Sequence, residues 1–265
     1  MTSPYPVRRV RRAGVVTVDR EPADPRPLVV VTGASGRVGR LTVPALAGRY
    51  RLRLVDLHGD GDTARSAMRP DQGAEDNERV TCDLREEDAC RSVVESADVL
   101  VHLAANPSPK ITVAEAIRDV VTPTAHLAAA ARTSSVSKIV FASSIHTMGG
   151  YAQEGREAIQ TDWVARPCCP YGAAKVFCEN LLGLAAREAG PSVICLRLGL
   201  TGADPANDYW ARQWLGPGDY QELIRRAVAT RIRVGVYFGV SVSDSPYDAS
   251  SAAIDLGFVP RESRP

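Results

Sequence analysis

The chain has 265 residues, 45% of them apolar and 24% charged, which is core material for one large globular domain or a domain with a small appendage. Its 32 basic and 31 acidic residues leave a net charge of +1, so nothing points to a nucleic-acid or membrane partner, and no run of about 18 apolar residues is present to span a bilayer. The six cysteines form no CxxC pair and have no histidine at metal-ligand spacing, which predicts a reduced, cytoplasmic protein without a metal site.

In chain order, residues 1–27 come first, with six arginines and five prolines. They lack the apolar stretch that an export signal needs and read as a flexible tail, in which residues 15–18 could add an edge strand. From Pro27 onward, short β-branched runs at 28–32, 51–55, 79–82, 98–103, 138–143 and 192–197 alternate with amphipathic stretches such as 86–96 and 171–189. Runs apolar on both faces, separated by helices, predict a doubly wound α/β fold of Rossmann type, with a parallel sheet covered on both sides. Residues 58–77, rich in Gly, Asp and Arg, read as a mobile loop. Residues 28–199 form the expected dinucleotide-binding core. Residues 200–265 form a small substrate-binding cap, with helices at 218–230 and 249–256 and a strand at 234–240.

The first strand runs into a three-glycine loop, Thr32-Gly33-Ala34-Ser35-Gly36-Arg37-Val38-Gly39, that leads into a helix. Glycines there permit a tight turn and close approach of backbone to a pyrophosphate, while free amides at the helix start bind its oxygens. The second strand ends at Asp56, where a carboxylate accepts hydrogen bonds from ribose hydroxyls and repels a 2′-phosphate, so NAD is favoured over NADP. Arg37 is the counterweight, able to meet a phosphate of either cofactor.

Tyr171 and Lys175 lie four residues apart at the start of a helical pattern and therefore share one face. A phenol titrates near pH 10 in water, so acid/base work near neutrality needs its anion stabilised by on the order of 4 kcal/mol, which an adjacent ammonium supplies in large part. Ser144 sits at the carboxyl end of the 138–143 strand, the edge where α/β sheets bind ligands, and its hydroxyl can hold a substrate carbonyl oxygen.

Together these residues resemble the extended short-chain dehydrogenase/reductase family, also called the NAD-dependent epimerase/dehydratase family, over nearly everything after Pro27. The likeness includes Cys82-Asp83-Leu84, His102-Leu103-Ala104-Ala105, Phe141-Ala-Ser-Ser144, Arg197-Leu-Gly199 and Leu256-Gly-Phe-Val-Pro260. Residues 141–149 and 207–220 look most like the uronate dehydrogenases and related sugar dehydrogenases. The resemblance implies Tyr171 as acid/base, Lys175 as the residue that lowers its pKa and holds the nicotinamide ribose, and Ser144 as the group that polarises the carbonyl. It also implies that Asp83 and Leu84 contact adenine, that Leu103, Ala104 and Ala105 line the cofactor groove, and that the chain forms a homo-oligomer.

The departures bear on substrate. Ile145 stands where those enzymes carry Asn, Leu200 where they carry Ser, and Tyr209 where an Arg would meet the substrate carboxylate. The family's Asn-x-x-Gly appears as Val120-Val-Thr-Pro123, in which Thr122 and Pro123 look like a helix N-cap and first residue. The leading expectation is an NAD(P)-dependent oxidoreductase interconverting a ring secondary alcohol and its ketone on a neutral, nucleoside-like or secondary-metabolite molecule, with His146 and Asn106 supplying polar contacts. The alternatives are a uronate or other sugar dehydrogenase, and a sugar epimerase or dehydratase that retains its NAD. A dinucleotide-sensing protein without catalysis is disfavoured by the intact Ser144, Tyr171 and Lys175.

Overall fold

A computed structural model describes residues 24–58, 77–241 and 244–263. The chain passes from β1 (Leu28–Thr32) through α1 (Gly39–Leu46), β2 (Arg51–Asp56), β3 (Glu78–Thr81), α2 (Glu87–Val94) and β4 (Val99–His102). A helical run follows, made of α3 (Val113–Ala116), a π-helical turn (Ile117–Val121) and α4 (Thr122–Arg132). Next come β5 (Lys138–Ser144), a 3₁₀ turn (Ile145–Thr147), α5 (Gly149–Gln153), α6 (Pro170–Ala185) and β6 (Ser192–Leu198). The last elements are β7 (Leu200–Thr201), α7 (Asp208–Ala211), β8 (Trp214–Leu215), α8 (Pro217–Ala229), β9 (Val234–Gly239) and α9 (Ser250–Leu256).

Every residue of β1 is buried, because its alternating side chains enter two different cores. Leu28 and Val30 pack with residues of α2, α4 and α6, whereas Val29 and Val31 pack with residues of α1, α8 and α9. A strand covered on both faces must be apolar throughout, and each fully buried aliphatic side chain contributes on the order of 1.5–3 kcal/mol. The sheet is parallel with strand order β3-β2-β1-β4-β5-β6-β9, so the winding reverses between β1 and β4. At such a reversal the loops beyond the strand ends diverge and leave a crevice for ligand. Thr32 is paired with Val55 on one side and His102 on the other, which brings three strand ends to that crevice.

Two expectations are corrected. The region after Gly199 is not confined to a cap: β9 pairs in parallel with β6, and α8 buries Tyr220, Leu223, Ile224 and Ala227 against the sheet. A boundary at Gly199 divides one sheet, and among the described strands only the short β7–β8 pair stands outside it. Thr122 and Pro123 do not start a helix. The run begins ten residues earlier at Thr112, whose side chain accepts the Glu115 N–H while the Glu115 carboxylate accepts the Thr112 N–H. Pro123 is tolerated inside the run because the preceding π-helical turn changes the pairing, the Thr122 N–H and hydroxyl both going to the Ile117 carbonyl.

The tail through residue 23 and loop residues 59–76 lie outside the described residues. No helix among the described residues is long and apolar enough to cross a membrane.

Candidate active site

The glycine loop is built on contacts that a side chain would prevent. Gly33 has φ +69°, and a Cβ there would lie 2.8 Å from the Ala104 nitrogen, so the loop can close against the end of β4 only with glycine. A Cβ on Gly39 would fall 2.3 Å from the Gly33 carbonyl oxygen, which seats α1 directly on the loop. The N–H groups of Gly33 and Ala34 are bonded to the Val55 carbonyl, and that of Gly36 to the Gly33 carbonyl. Those of Arg37 and Val38, opening α1, meet no acceptor among the described residues. Two free amides at a helix start fit the pyrophosphate of a dinucleotide.

Asp56 Oδ2 accepts the Ser35 N–H at 2.9 Å and Oδ1 accepts the Leu57 N–H at 2.9 Å, which fixes the carboxylate beside the loop. Arg37 is exposed, and its aliphatic stem lies over Gly202. Asp83 is clasped by Arg85, whose guanidinium holds its carboxyl below the usual range, and Leu84 is buried. Asp83 thus meets Arg85 through its carboxylate. Leu103, Ala104 and Ala105 follow β4 half-buried, with the Leu103 and Ala104 N–H groups donating to Thr32 Oγ1.

That bonding fixes a buried chain. Since Thr32 Oγ1 accepts from two amides, its hydroxyl donates to His102 Nδ1 at 2.7 Å; the His102 Nε2–H then donates to Thr124 Oγ1 at 3.1 Å, which donates to the Val120 carbonyl. Burial first, and the Lys175 charge second, pull His102 down to about 3. In the unfolded chain it titrates near 6.5. Between these values the unfolded chain binds a proton that the folded chain refuses, so stability falls by about 1.4 kcal/mol per pH unit as pH drops from 6.5. His102→Gln is expected to remove roughly 2 kcal/mol of the stability lost between pH 6.5 and 5. Urea unfolding at both pH values checks this, and an equal loss in wild type and variant would contradict it.

Tyr171 and Lys175 are both buried on α6, which Cys169 caps and Pro170 opens. A Cβ on Gly172 would lie 2.3 Å from the His146 carbonyl oxygen, so glycine lets the first turn of α6 abut the turn after β5. Lys175 Nζ donates to the Ala142 carbonyl at 2.7 Å and lies 4.3 Å from the Phe141 ring centroid and 5.5 Å from that of Tyr171. Burial pushes the Tyr171 phenol above its ordinary value and pulls Lys175 down to about 8. Each charge alone is unfavourable here, and an ammonium beside a phenolate offsets both penalties. Ser144, at the end of β5, accepts the His146 N–H on its Oγ at 3.2 Å and keeps its hydroxyl hydrogen to donate.

The residues expected to meet substrate divide. Ile145 is 2% exposed and packs with Met148, Ile159, Phe238, Val240 and Tyr247, so it supports the site from the core instead of lining it. Asn106 is exposed, with Oδ1 accepting the Ser108 N–H at 3.3 Å. Leu200 is half-buried and paired with Trp214. Tyr209 is exposed and its ring meets Trp210 edge-on. His146 lies 6.0 Å from Tyr171 and 6.1 Å from Trp210 between ring centroids, so Trp210, missed in the sequence, belongs to this cluster. Arg212 is held by Glu157 at 2.9 Å and by the Asp244 carbonyl at 2.9 Å. Cys168 Sγ lies 3.1 Å from His146 Nδ1, and Cys169 joins them, so the fold brings these three together although 22 residues separate His146 from Cys168.

The family model described as the NAD dependent epimerase/dehydratase family matches residues 29–203. The chain is 34% identical to L-arabinose 1-dehydrogenase (NAD(P)(+)) of Haloferax volcanii over 76% of this chain and 82% of that protein. It is 29% identical to uronate dehydrogenase of Pseudomonas putida over 89% of this chain and 84% of that protein. The crystal structure of a mutant uronate dehydrogenase from Agrobacterium tumefaciens complexed with NAD superposes with a TM-score of 0.78 at 29% identity, covering 90% of this chain and 86% of that one. With its reversed sheet, glycine loop, Asp56 and Tyr171–Lys175 pair, this chain belongs to the NAD-dependent epimerase/dehydratase family.

Proposed function

We propose that the protein is an NAD-dependent dehydrogenase that oxidises a neutral aldose at a ring CH–OH group. The observation that carries this reading is the buried Tyr171–Lys175 pair on α6, with Ser144 buried at the end of β5, in a chain whose relatives by name are sugar dehydrogenases. Those relatives favour a sugar over the nucleoside-like molecule first expected from the sequence.

The glycine-loop amides and Asp56 would hold the dinucleotide, and Lys175 would hold its nicotinamide ribose, as the family resemblance implies. Bound NAD supplies the hydride acceptor. Ser144 donates a hydrogen bond to the sugar oxygen and Tyr171, as phenolate, removes its proton, with the Lys175 ammonium stabilising the anion. The Trp210 and His146 rings, 6.1 Å apart between centroids, offer aromatic surface to the apolar side of a sugar ring. Exposed Phe177 and Leu184 on α6 support a homo-oligomer through that helix.

A neutral substrate is favoured over a uronate because residues 207–214, where the resemblance places the carboxylate-binding arginine, offer no free guanidinium. Tyr209 stands where the resemblance places that arginine, and Arg212 is tied to Glu157 and Asp244. Without a bidentate partner a buried carboxylate loses a charge-assisted contact, so neutral aldopentoses or aldohexoses are expected to exceed galacturonate and glucuronate in kcat/KM by at least about tenfold, ~1.4 kcal/mol. Initial rates with NAD across both sugar classes test this. A uronate reaching on the order of 10⁴ M⁻¹s⁻¹ and exceeding every neutral aldose would overturn it.

A further inference from the structure

His146, Cys168 and Cys169 converge beside Tyr171 from two segments that the fold clamps together. Their ligating atoms all lie within 4.8 Å of one another, and His146 Nδ1 and Cys168 Sγ are 3.1 Å apart. The clamp is backbone: the Cys168 N–H donates to the His146 carbonyl at 3.2 Å. Two glycines make the room. A Cβ on Gly149 would lie 2.4 Å from Cys168 Sγ, and one on Gly172 would lie 2.3 Å from the His146 carbonyl oxygen. Cys169 is fixed as the α6 cap, its Sγ accepting the Gly172 N–H at 3.4 Å.

We propose that His146, Cys168 and Cys169 form a binding site for a soft divalent cation, zinc above all, whose occupancy reversibly shuts the active site. Tetrahedral zinc, with sulfur at about 2.3 Å and nitrogen at about 2.1 Å, holds its ligand atoms roughly 3.5–3.8 Å apart, within the span that these three groups already occupy. Two thiolates and an imidazole suit zinc or cadmium and do not suit magnesium or calcium. Binding releases one proton from each thiol to solvent as each sulfur–metal bond forms, and leaves the fourth position to water or to a substrate oxygen. Inhibition follows from position: the cation captures the imidazole that faces Tyr171 and Trp210 and turns its fourth coordination position toward the space that the sugar is to occupy.

The inhibition rests on the dehydrogenase reading, whereas the binding does not. Cadmium titration of the full chain, read by thiolate-to-metal charge-transfer absorbance, measures binding alone. Wild type is expected to bind one cadmium per chain with a thiolate band. Cys168→Ser/Cys169→Ser is expected to lose that band and to need at least tenfold more zinc to inhibit NADH formation, with a chelator restoring wild-type activity. Serine preserves the α6 cap, and Cys168→Ser alone serves if the double variant misfolds. A wild type without the band, or variants that keep it, would overturn the site, since the sulfur would then come from elsewhere. A band lost in the variants while zinc leaves wild-type turnover untouched would overturn the inhibition. A metal site in a chain that oxidises no sugar would count against the proposed function and leave the site standing.

Discussion

Tyr171→Phe is expected to lower kcat for NAD-linked sugar oxidation by roughly two to four orders of magnitude. The ring stays in a core that already holds it at 7% exposure, and its hydroxyl makes no hydrogen bond among the described residues, so the fold has little to lose. What disappears is the group proposed to take the substrate proton, which lies beside the Lys175 ammonium. Burial alone opposes the phenolate, and the Lys175 charge must offset that burial. Steady-state kinetics with a thermal melt check both halves: a variant that keeps more than about a tenth of wild-type kcat removes Tyr171 as the base.

Glu179→Ala is expected to cost about 3–5 kcal/mol of stability, a fall in Tm of roughly 6–20 °C. Glu179 lies one turn beyond Lys175 on α6, where Oε1 and Oε2 accept from Arg197 Nε at 3.0 Å and from its terminal nitrogen at 2.8 Å. Oε1 also takes the Ser143 hydroxyl at 2.5 Å. Both charged side chains are almost fully buried, at 6% and 7% exposure, so removing the carboxylate strands the guanidinium away from water. Glu179→Leu/Arg197→Met removes both charges and is expected to cost less than Glu179→Ala. Urea unfolding of the two variants checks the order, and a double variant at least as destabilised as Glu179→Ala would contradict the reading. The network also anchors Ser143, next to Ser144, so activity is expected to fall with stability.

What the sequence reveals here follows the periodicity of the chain. The run Leu28–Val31 of β1 is apolar at every position, as a strand covered on both faces requires, and the glycine loop, Asp56 and the Tyr171–Lys175 spacing are local patterns read directly from neighbouring residues. The misreadings share a cause: two local signals competed, or contacts joined residues far apart. Thr122-Pro123 looks like a helix start, but the capping box at Thr112 and Glu115 lies upstream and a π-helical turn carries the helix through the proline. Ile145 adjoins Ser144 and would be expected to share its pocket, yet the turn after β5 directs it into the core behind. The convergence of His146 with Cys168 and Cys169, and the buried pairing of Glu179 with Arg197 18 residues on, depend on how segments pack, which periodicity does not encode.

The most direct test of the central claim is the NADH balance during sugar turnover. When purified protein is mixed with NAD and a neutral aldose, one NADH is expected to accumulate for each sugar oxidised. Tyr171→Phe is expected to abolish that accumulation. Conversion of the sugar to an isomer with no net NADH would contradict the account, because the cofactor would then be cycling within the site as in an epimerase.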